Sequence, residues 1–380
     1  MGKKALISGA GVGGATLAYW LARNGFDVTV VERAAGERSS GNPVDVKGPA
    51  IEVVEKMGIM PRLREVASPV DRMTFVDGAG RRVAGIPLRM FQDGAGEREV
   101  EVPRADLASI LLEAGRDQVE FLWGDTITGL VQDAAGVDVT FAEARPARFD
   151  VVIGADGLHS TVRRLTFGPE HAFVRHTGMY VATLPIDAPF GDDTEVVIYN
   201  MPGRAVAVHP SKGHAIAAFM FRRGAVADYD HRDLDSHKRL VLDAFADGSW
   251  RLPELLDLVR AADDLYFDSI SRVRLPRWSS GRIGLTGDAA AAVSLFGDGS
   301  TLAIAGAYRL AEELGRSPAD IQAALRRYET GHRPMVDAKR QSFRFARAML
   351  LPATRSGIAL RNTTARLVPA LAGLGRSRAA

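Results

Sequence analysis

The chain has 380 residues, 46% of them hydrophobic and 25% charged, with 48 Lys+Arg against 46 Asp+Glu. That length suffices for two domains sharing one ligand cleft, and a formal charge of +2 is too small to point to nucleic acid or an anionic membrane. The absence of cysteine excludes disulfides, thiolate metal sites, a cysteine nucleophile and a cysteinyl-linked cofactor. The N-terminal residues become a strand with no separate apolar segment ahead of a cleavage site, and no run reaches the roughly 18 apolar residues that span a bilayer. A cytoplasmic protein is expected, a monomer or a homodimer.

Residues 5–8 form an apolar strand that ends on Gly9-Ala10-Gly11-Val12-Gly13-Gly14, and a helical pattern with Leu17, Ala18 and Leu21 on one face follows. Asn24-Gly25 stops that helix, and a second buried strand, 28–31, ends on Glu32. This is a βαβ unit with a dinucleotide fingerprint: the glycines form the turn, the helix N-terminus offers unpaired amides to a pyrophosphate, and the acid accepts from ribose hydroxyls. A polar loop, 33–43, leads to Asp45 and a helix over 49–57, and 72–98 reads as hairpin material with turns at Asp77-Gly78 and Asp93-Gly94. Pro103-Arg104 opens an amphipathic helix, strands are expected at 119–123, 127–132 and 137–141, and 151–163 is a buried strand entering a second glycine turn, Asp156-Gly157.

From about 168 to 271 the texture changes to successive strands (179–184, 195–199, 205–209, 215–221) with one helix over 236–246, which predicts an antiparallel sheet. The α/β texture returns at 283–285, followed by Gly287-Asp288, the loop Gly297-Asp298-Gly299-Ser300-Thr301 and an Ala/Leu-rich helix. That loop feeds a helix N-terminus, where unpaired amides and the helix dipole favour an anionic ligand. Beyond 342 the chain is helical and mixed basic and apolar, and is expected to pack across the first domain. The fold class is thus α/β: a Rossmann-like nucleotide-binding domain in three pieces (1–70, 100–168, 270–341), an inserted, mostly antiparallel β substrate domain (71–99, 169–269) and a C-terminal helical segment (342–380). The eight histidines show no metal-ligand spacing at His171 and His176 or at His209 and His214, and no Gly-x-Ser-x-Gly elbow supports a hydrolase.

Three elements stand in a fixed order: Gly9-x-Gly11-x-x-Gly14 with Glu32, Asp156-Gly157-x-x-Ser160-x-Val162-Arg163, and Gly287-Asp288-Ala289-Ala290. Together they resemble the class A flavoprotein monooxygenases, the para-hydroxybenzoate hydroxylase-like group that includes polyketide hydroxylases and tetracycline-inactivating enzymes. The resemblance implies non-covalent FAD, NADPH or NADH as a transient reductant, and a flavin C4a-hydroperoxide that oxygenates a hydrophobic aromatic or polycyclic substrate. Carried over by motif, Gly9, Gly11, Gly13 and Gly14 would form the pyrophosphate turn, with Gly11, Gly13 and Gly14 as its cradle. Glu32 would hold the adenosine ribose with Arg33 beside it, and Arg104 would reach the phosphates or ribitol. Asp288 would bond the ribitol, Asp156 would serve FAD and NAD(P)H, and Gly299, Ser300 and Thr301 would close the flavin site. Arg38, Asp45, Phe296 and Asp298 are the flavin-proximal candidates, and Tyr180, Tyr199, Phe219, Phe221 and Phe296 are candidates for stacking on a flat substrate.

The third motif departs from the family pattern. The residue after Ala290 is Ala291 where members carry a bulkier side chain, Ser294-Leu295-Phe296 lacks a proline, and the usual Gly-Gln-Gly is Gly297-Asp298-Gly299. A carboxylate at Asp298 would disfavour an anionic reduced flavin. An alternative is therefore a protein that keeps FAD structurally and catalyses a non-redox step, such as cyclisation in natural-product biosynthesis.

Overall fold

The computed structural model describes residues 2–36, 43–88, 98–187, 192–211, 214–227, 229–230, 233–292 and 298–376; Arg38, Phe296 and the Asp93-Gly94 turn lie outside the described residues. The chain opens with β1 (Lys4–Ser8), α1 (Val12–Arg23), β2 (Asp27–Glu32) and β3 (Val44–Val46). Next come α2 (Pro49–Lys56), α3 (Met60–Val66), β4 (Arg72–Val76), β5 (Arg82–Pro87), β6 (Val100–Val102) and α4 (Arg104–Gly115). Strands β7 (Val119–Trp123), β8 (Ile127–Gln132), β9 (Val137–Phe141), β10 (Ala147–Phe149) and β11 (Val151–Gly154) precede α5 (Thr161–Phe167) and α6 (Glu170–Phe173). The second half holds β12 (Val174–Ile186), β13 (Glu195–Met201), β14 (Arg204–Ser211), β15 (His214–Arg222), α7 (Leu234–Phe245), α8 (Leu252–Ala261) and β16 (Tyr266–Val273). It closes with β17 (Ser279–Ser280), β18 (Ile283–Leu285), α9 (Asp288–Ala291), α10 (Asp298–Arg316), α11 (Ile321–Leu350) and α12 (Arg355–Arg376).

One sheet has the order β17-β18-β11-β1-β2-β7 and is parallel from β18 to β7. Strands β1, β2, β11 and β18 are buried on both faces, which is why 5–8, 28–31 and 151–154 read as unbroken apolar runs. The order brings the C-terminal ends of β1, β11 and β18 side by side, so three motifs far apart in sequence meet at one sheet edge. The second sheet, β16-β12-β15-β14-β13-β4-β5, is antiparallel except where β13 runs parallel to β4. The α/β class with an antiparallel second sheet is as the sequence texture predicts.

Alternation in the second sheet creates two cores. One face carries Tyr180, Tyr199, Phe219 and Phe221 into a cluster with Val241, Phe245, Leu255 and Val259 of α7 and α8. These four aromatics are therefore core residues and not substrate-stacking ones; period-two spacing sorts them onto one face but carries no sign of which face α7 and α8 will cover. The other face packs Phe75, Val196 and Ile198 against Phe343, Leu350 and Leu351.

The C-terminal segment also differs from expectation. Helix α11 is 30 residues long, contains Pro334 and runs through residue 342, so the expected boundary falls inside a continuous helix. Helix α12 packs on the second sheet rather than across the first domain. Buried Arg361 lies 3.6 Å over the Phe75 ring and donates to Met349 O and Asn200 Oδ1, while Arg366 Nε donates to Val83 O. Burial lowers the Arg361 pKa to about 10. No helix among the described residues is long and apolar enough to cross a membrane.

Candidate active site

A cavity of about 700 Å³ lies between the two sheets. Its first half is bounded by the N-terminal ends of α1, α4 and α10, and its second half by one face of the seven-stranded sheet.

The glycines of the first turn divide the work. Gly9 has φ +105°, and a Cβ there would sit 2.6 Å from Ala155 O; a Cβ on Gly14 would sit 1.9 Å from Gly9 O. These two glycines let β1, α1 and β11 approach closely. Gly11 would meet nothing within 4 Å, caps α1 without a side-chain bond and lines the cavity with Gly13, so the free amides of α1 face it. Gly14, expected in the cradle, is instead a packing residue. Glu32 accepts from Ala10 N and Ala34 N, 2.9 Å each, and braces the turn; neither Glu32 nor exposed Arg33 lines the cavity.

Asp156 is also turned away from it. Its carboxylate accepts from Ser160 Oγ and, at 3.0 Å, from Val162 N, ordering the start of α5; burial pushes its pKa up against those bonds. Fully buried Arg163 donates to Leu158 O and, at 3.1 Å, to Ala289 O, which ties the second motif to the third. Gly157 and Leu158 line the cavity in place of Asp156.

Arg104, the first residue of α4, and Asp288, the first of α9, both line it. Burial raises the Asp288 pKa, with Arg104 opposing and Asp268 adding to the rise. At α10, Gly299 is open, with nothing within 4 Å of a built Cβ. Ser300 Oγ and Thr301 Oγ1 donate to Asp45 O at 2.7 and 3.1 Å, and Thr301 Oγ1 accepts from Lys47 N at 3.3 Å. These hydroxyls fasten β3 to the start of α10; Ser300 lines the cavity and Thr301 does not.

Asp298 is buried, and its Oδ1 lies 3.3 Å from Lys47 Nζ and 3.2 Å from Lys339 Nζ, ionic contacts whose angles fall short of hydrogen bonds. Lys47 also donates to Asp45 Oδ2 at 3.1 Å. Burial disfavours the Lys47 ammonium, yet Asp45 and Asp298 outweigh it and hold its pKa above the usual lysine range. Burial raises the Asp45 pKa, Lys47 opposes, and Glu101, its cross-strand partner, adds to the rise. Glu101 in turn lies 3.0 Å from Nε2 of buried His209, whose Nδ1 lies 2.8 Å from Pro210 O. With an acceptor against each ring nitrogen, His209 satisfies both only as the imidazolium; burial works against that form, but Glu101 prevails and the pKa is raised.

Lys47, Lys339, Glu101 and His209 were not anticipated as site residues. Lys47 shares the face of Asp45 two residues away, a signal the sequence carried; the partners of the other three are distant in the chain. The rest of the second half combines an aliphatic wall, Met73, Val181, Ile198, Ala207, Ala218 and Met220, with Tyr266, Asp268, Ser269 and Ser271 of β16. Among the described residues no group of three or more His, Asp or Glu is arranged to hold a metal.

The donor set fits FAD. Open amides at two helix N-termini and the Arg104 cation suit a diphosphate and an electron-rich ring edge, and Asp288 can accept from a polyol.

Comparison with known proteins agrees. Residues 3–339 match the family model described as FAD binding domain. A Flavin-dependent monooxygenase of Legionella longbeachae is 34% identical, the alignment covering 89% of this chain and 87% of the relative. The crystal structure of the tetracycline destructase Tet(51) superimposes with TM-score 0.83 at 29% identity over 97% of this chain and 96% of that one. That of Klebsiella pneumoniae HpxO complexed with FAD and uric acid gives 0.76 at 26% identity over 96% and 92%. The chain belongs to the FAD binding domain family and is an FAD-dependent oxidoreductase of the flavin monooxygenase group.

Proposed function

We propose that the protein is a monooxygenase that uses NADPH or NADH and O2 to hydroxylate a flat, hydrophobic aromatic or polycyclic molecule. The observation that carries this reading is the continuity of the cavity: one space joins the helix N-termini that suit a dinucleotide to an aliphatic sheet face that suits an apolar ligand. Bound FAD supplies the oxygen-transferring chemistry. Gly11, Gly13 and Arg104 hold its diphosphate, and Asp288 accepts from its ribitol. The aliphatic wall excludes water and orients the substrate by shape, and the Glu101–His209 pair is the polar corner that meets a substrate hydroxyl.

The non-redox alternative rested on Asp298, Ala291 and the missing proline, and of these the unbalanced charge at Asp298 bears directly on flavin reduction. Two ammonium groups within 3.3 Å of that carboxylate offset it, which removes the electrostatic ground for a purely structural flavin.

The purified protein should be yellow and should oxidise NADPH or NADH faster with a polycyclic phenol such as alizarin than without, giving an oxygenated product. A protein that takes up no FAD sinks the premise. Bound FAD that neither nicotinamide reduces, with or without such phenols, rejects the monooxygenase reading.

A further inference from the structure

We propose that Lys47 and Lys339 are positioning residues that set the reduction potential of the bound flavin by neutralising Asp298. The proposal rests on FAD occupying the cavity but not on the oxygenation reading.

The pyrophosphate belongs at the α1 N-terminus beside Gly11 and Arg104, and the reactive ring has to meet the substrate. It therefore lies where the two halves of the cavity join, the stretch lined by Asp45, Lys47, Asp298, Gly299 and Lys339. Reduction places negative charge on that ring. A buried carboxylate at the same place opposes the change because the low-dielectric surroundings screen it poorly.

This chain carries such a carboxylate and surrounds it. Lys47 reaches Asp298 from the residue after β3, and Lys339 reaches the same oxygen from α11. Lys47 also bridges to Asp45, so the cluster holds two acids and two bases and sums to zero with Asp45 ionised. Loss of either lysine leaves it one unit negative; loss of the Asp298 charge leaves it one unit positive. The positive end of the α10 dipole then favours the reduced ring. The two ammonium groups come from elements far apart in sequence and converge on one oxygen, which is more than a surface ion pair requires.

The test is the two-electron midpoint potential of the FAD-loaded protein, measured by equilibration with a redox dye and without substrate or nicotinamide. Lys339→Met should weaken binding of reduced relative to oxidised flavin about tenfold, a fall of ~30 mV for a two-electron couple. Lys47→Met should act in the same direction, Asp298→Asn should raise the potential, and Lys339→Arg should leave it in place. The double variant Asp298→Asn/Lys339→Met should return towards the starting value. The inference is overturned by a Lys339→Met potential equal to that of the parent, by Asp298→Asn lowering it, or by a double variant that stays where Lys339→Met lies. Should Lys47→Met shed its flavin, the other four variants decide. Failure of the oxygenation reading would appear instead as absent NAD(P)H-dependent turnover with these shifts intact.

Discussion

Substituting alanine at Gly14 and at Gly11, in the same glycine turn, separates packing from ligand contact. At Gly14 the added Cβ would lie 1.9 Å from Gly9 O, whereas ordinary contact begins at 3.4 Å, so α1 has to withdraw by about 1.5 Å, the difference of the two. Gly9 cannot yield easily, since its N–H is bonded to Val31 O at 2.8 Å and its φ is +105°. Overpacking of this kind costs roughly 1–3 kcal/mol, and misplacing ligand-facing groups by an ångström costs on the order of a hundredfold in function. Gly14→Ala should therefore lower the melting temperature and weaken FAD at least tenfold. Gly11→Ala adds a methyl that meets no protein atom within 4 Å but intrudes on the dinucleotide, so it should weaken FAD while the apoprotein melts as before. Thermal melts of apoprotein and fluorescence titration of FAD give both quantities. Unchanged melting in Gly14→Ala, or an equal loss of stability in Gly11→Ala, would refute this division.

Arg104→Ala should reduce FAD retention after dialysis while leaving the fold intact; full flavin occupancy would contradict its assignment to the diphosphate. His159 lies 3.0 Å from Glu170 and 3.5 Å from Asp268, and although burial works against its charge these acids raise its pKa to about 9. Because the folded pKa exceeds the unfolded value near 6.5, the stabilisation is complete below pH 6.5 and fades as pH rises through 9, up to about 3 kcal/mol. Urea unfolding between pH 6 and 9.5 should show a steeper loss in the parent than in His159→Asn, and parallel slopes would dismiss the pair. Ala218→Phe should abolish quenching of flavin fluorescence by alizarin without loss of FAD, whereas its neighbour Phe219→Ala should cost about 3–5 kcal/mol of stability and leave alizarin affinity unchanged; reversal of the two outcomes would mean the sheet faces are misassigned.

The features legible in the sequence are those imposed by backbone sterics. Gly9 and Gly14, and the strand, turn and helix around them, announce a parallel α/β layer because side chains cannot replace hydrogen there, whereas Gly11 has room for a Cβ. What stayed hidden depends on tertiary partners. His209 and Glu101 are 108 residues apart, and nothing local marks Lys339 as facing Asp298. Asp156 and Glu32 were read as ligand groups because their positions match a motif, yet their oxygens are taken by Ser160, Val162, Ala10 and Ala34. Tyr180, Tyr199, Phe219 and Phe221 suit a flat ligand by chemistry, but the sheet's helical cover claims their face.

The seven-stranded sheet has a consequence for how such a protein can change. Phe219 and Ala218 are neighbours in the chain, yet one belongs to the interior beneath α7 and α8 and the other to the chamber opposite. The backbone between them is a partition: substitutions at Ala207, Ala218 or Met220 can reshape the chamber without disturbing the aromatic interior that keeps the sheet standing. Such a wall allows the range of accepted molecules to drift while the scaffold is conserved, and it places that freedom on alternate residues of β14 and β15.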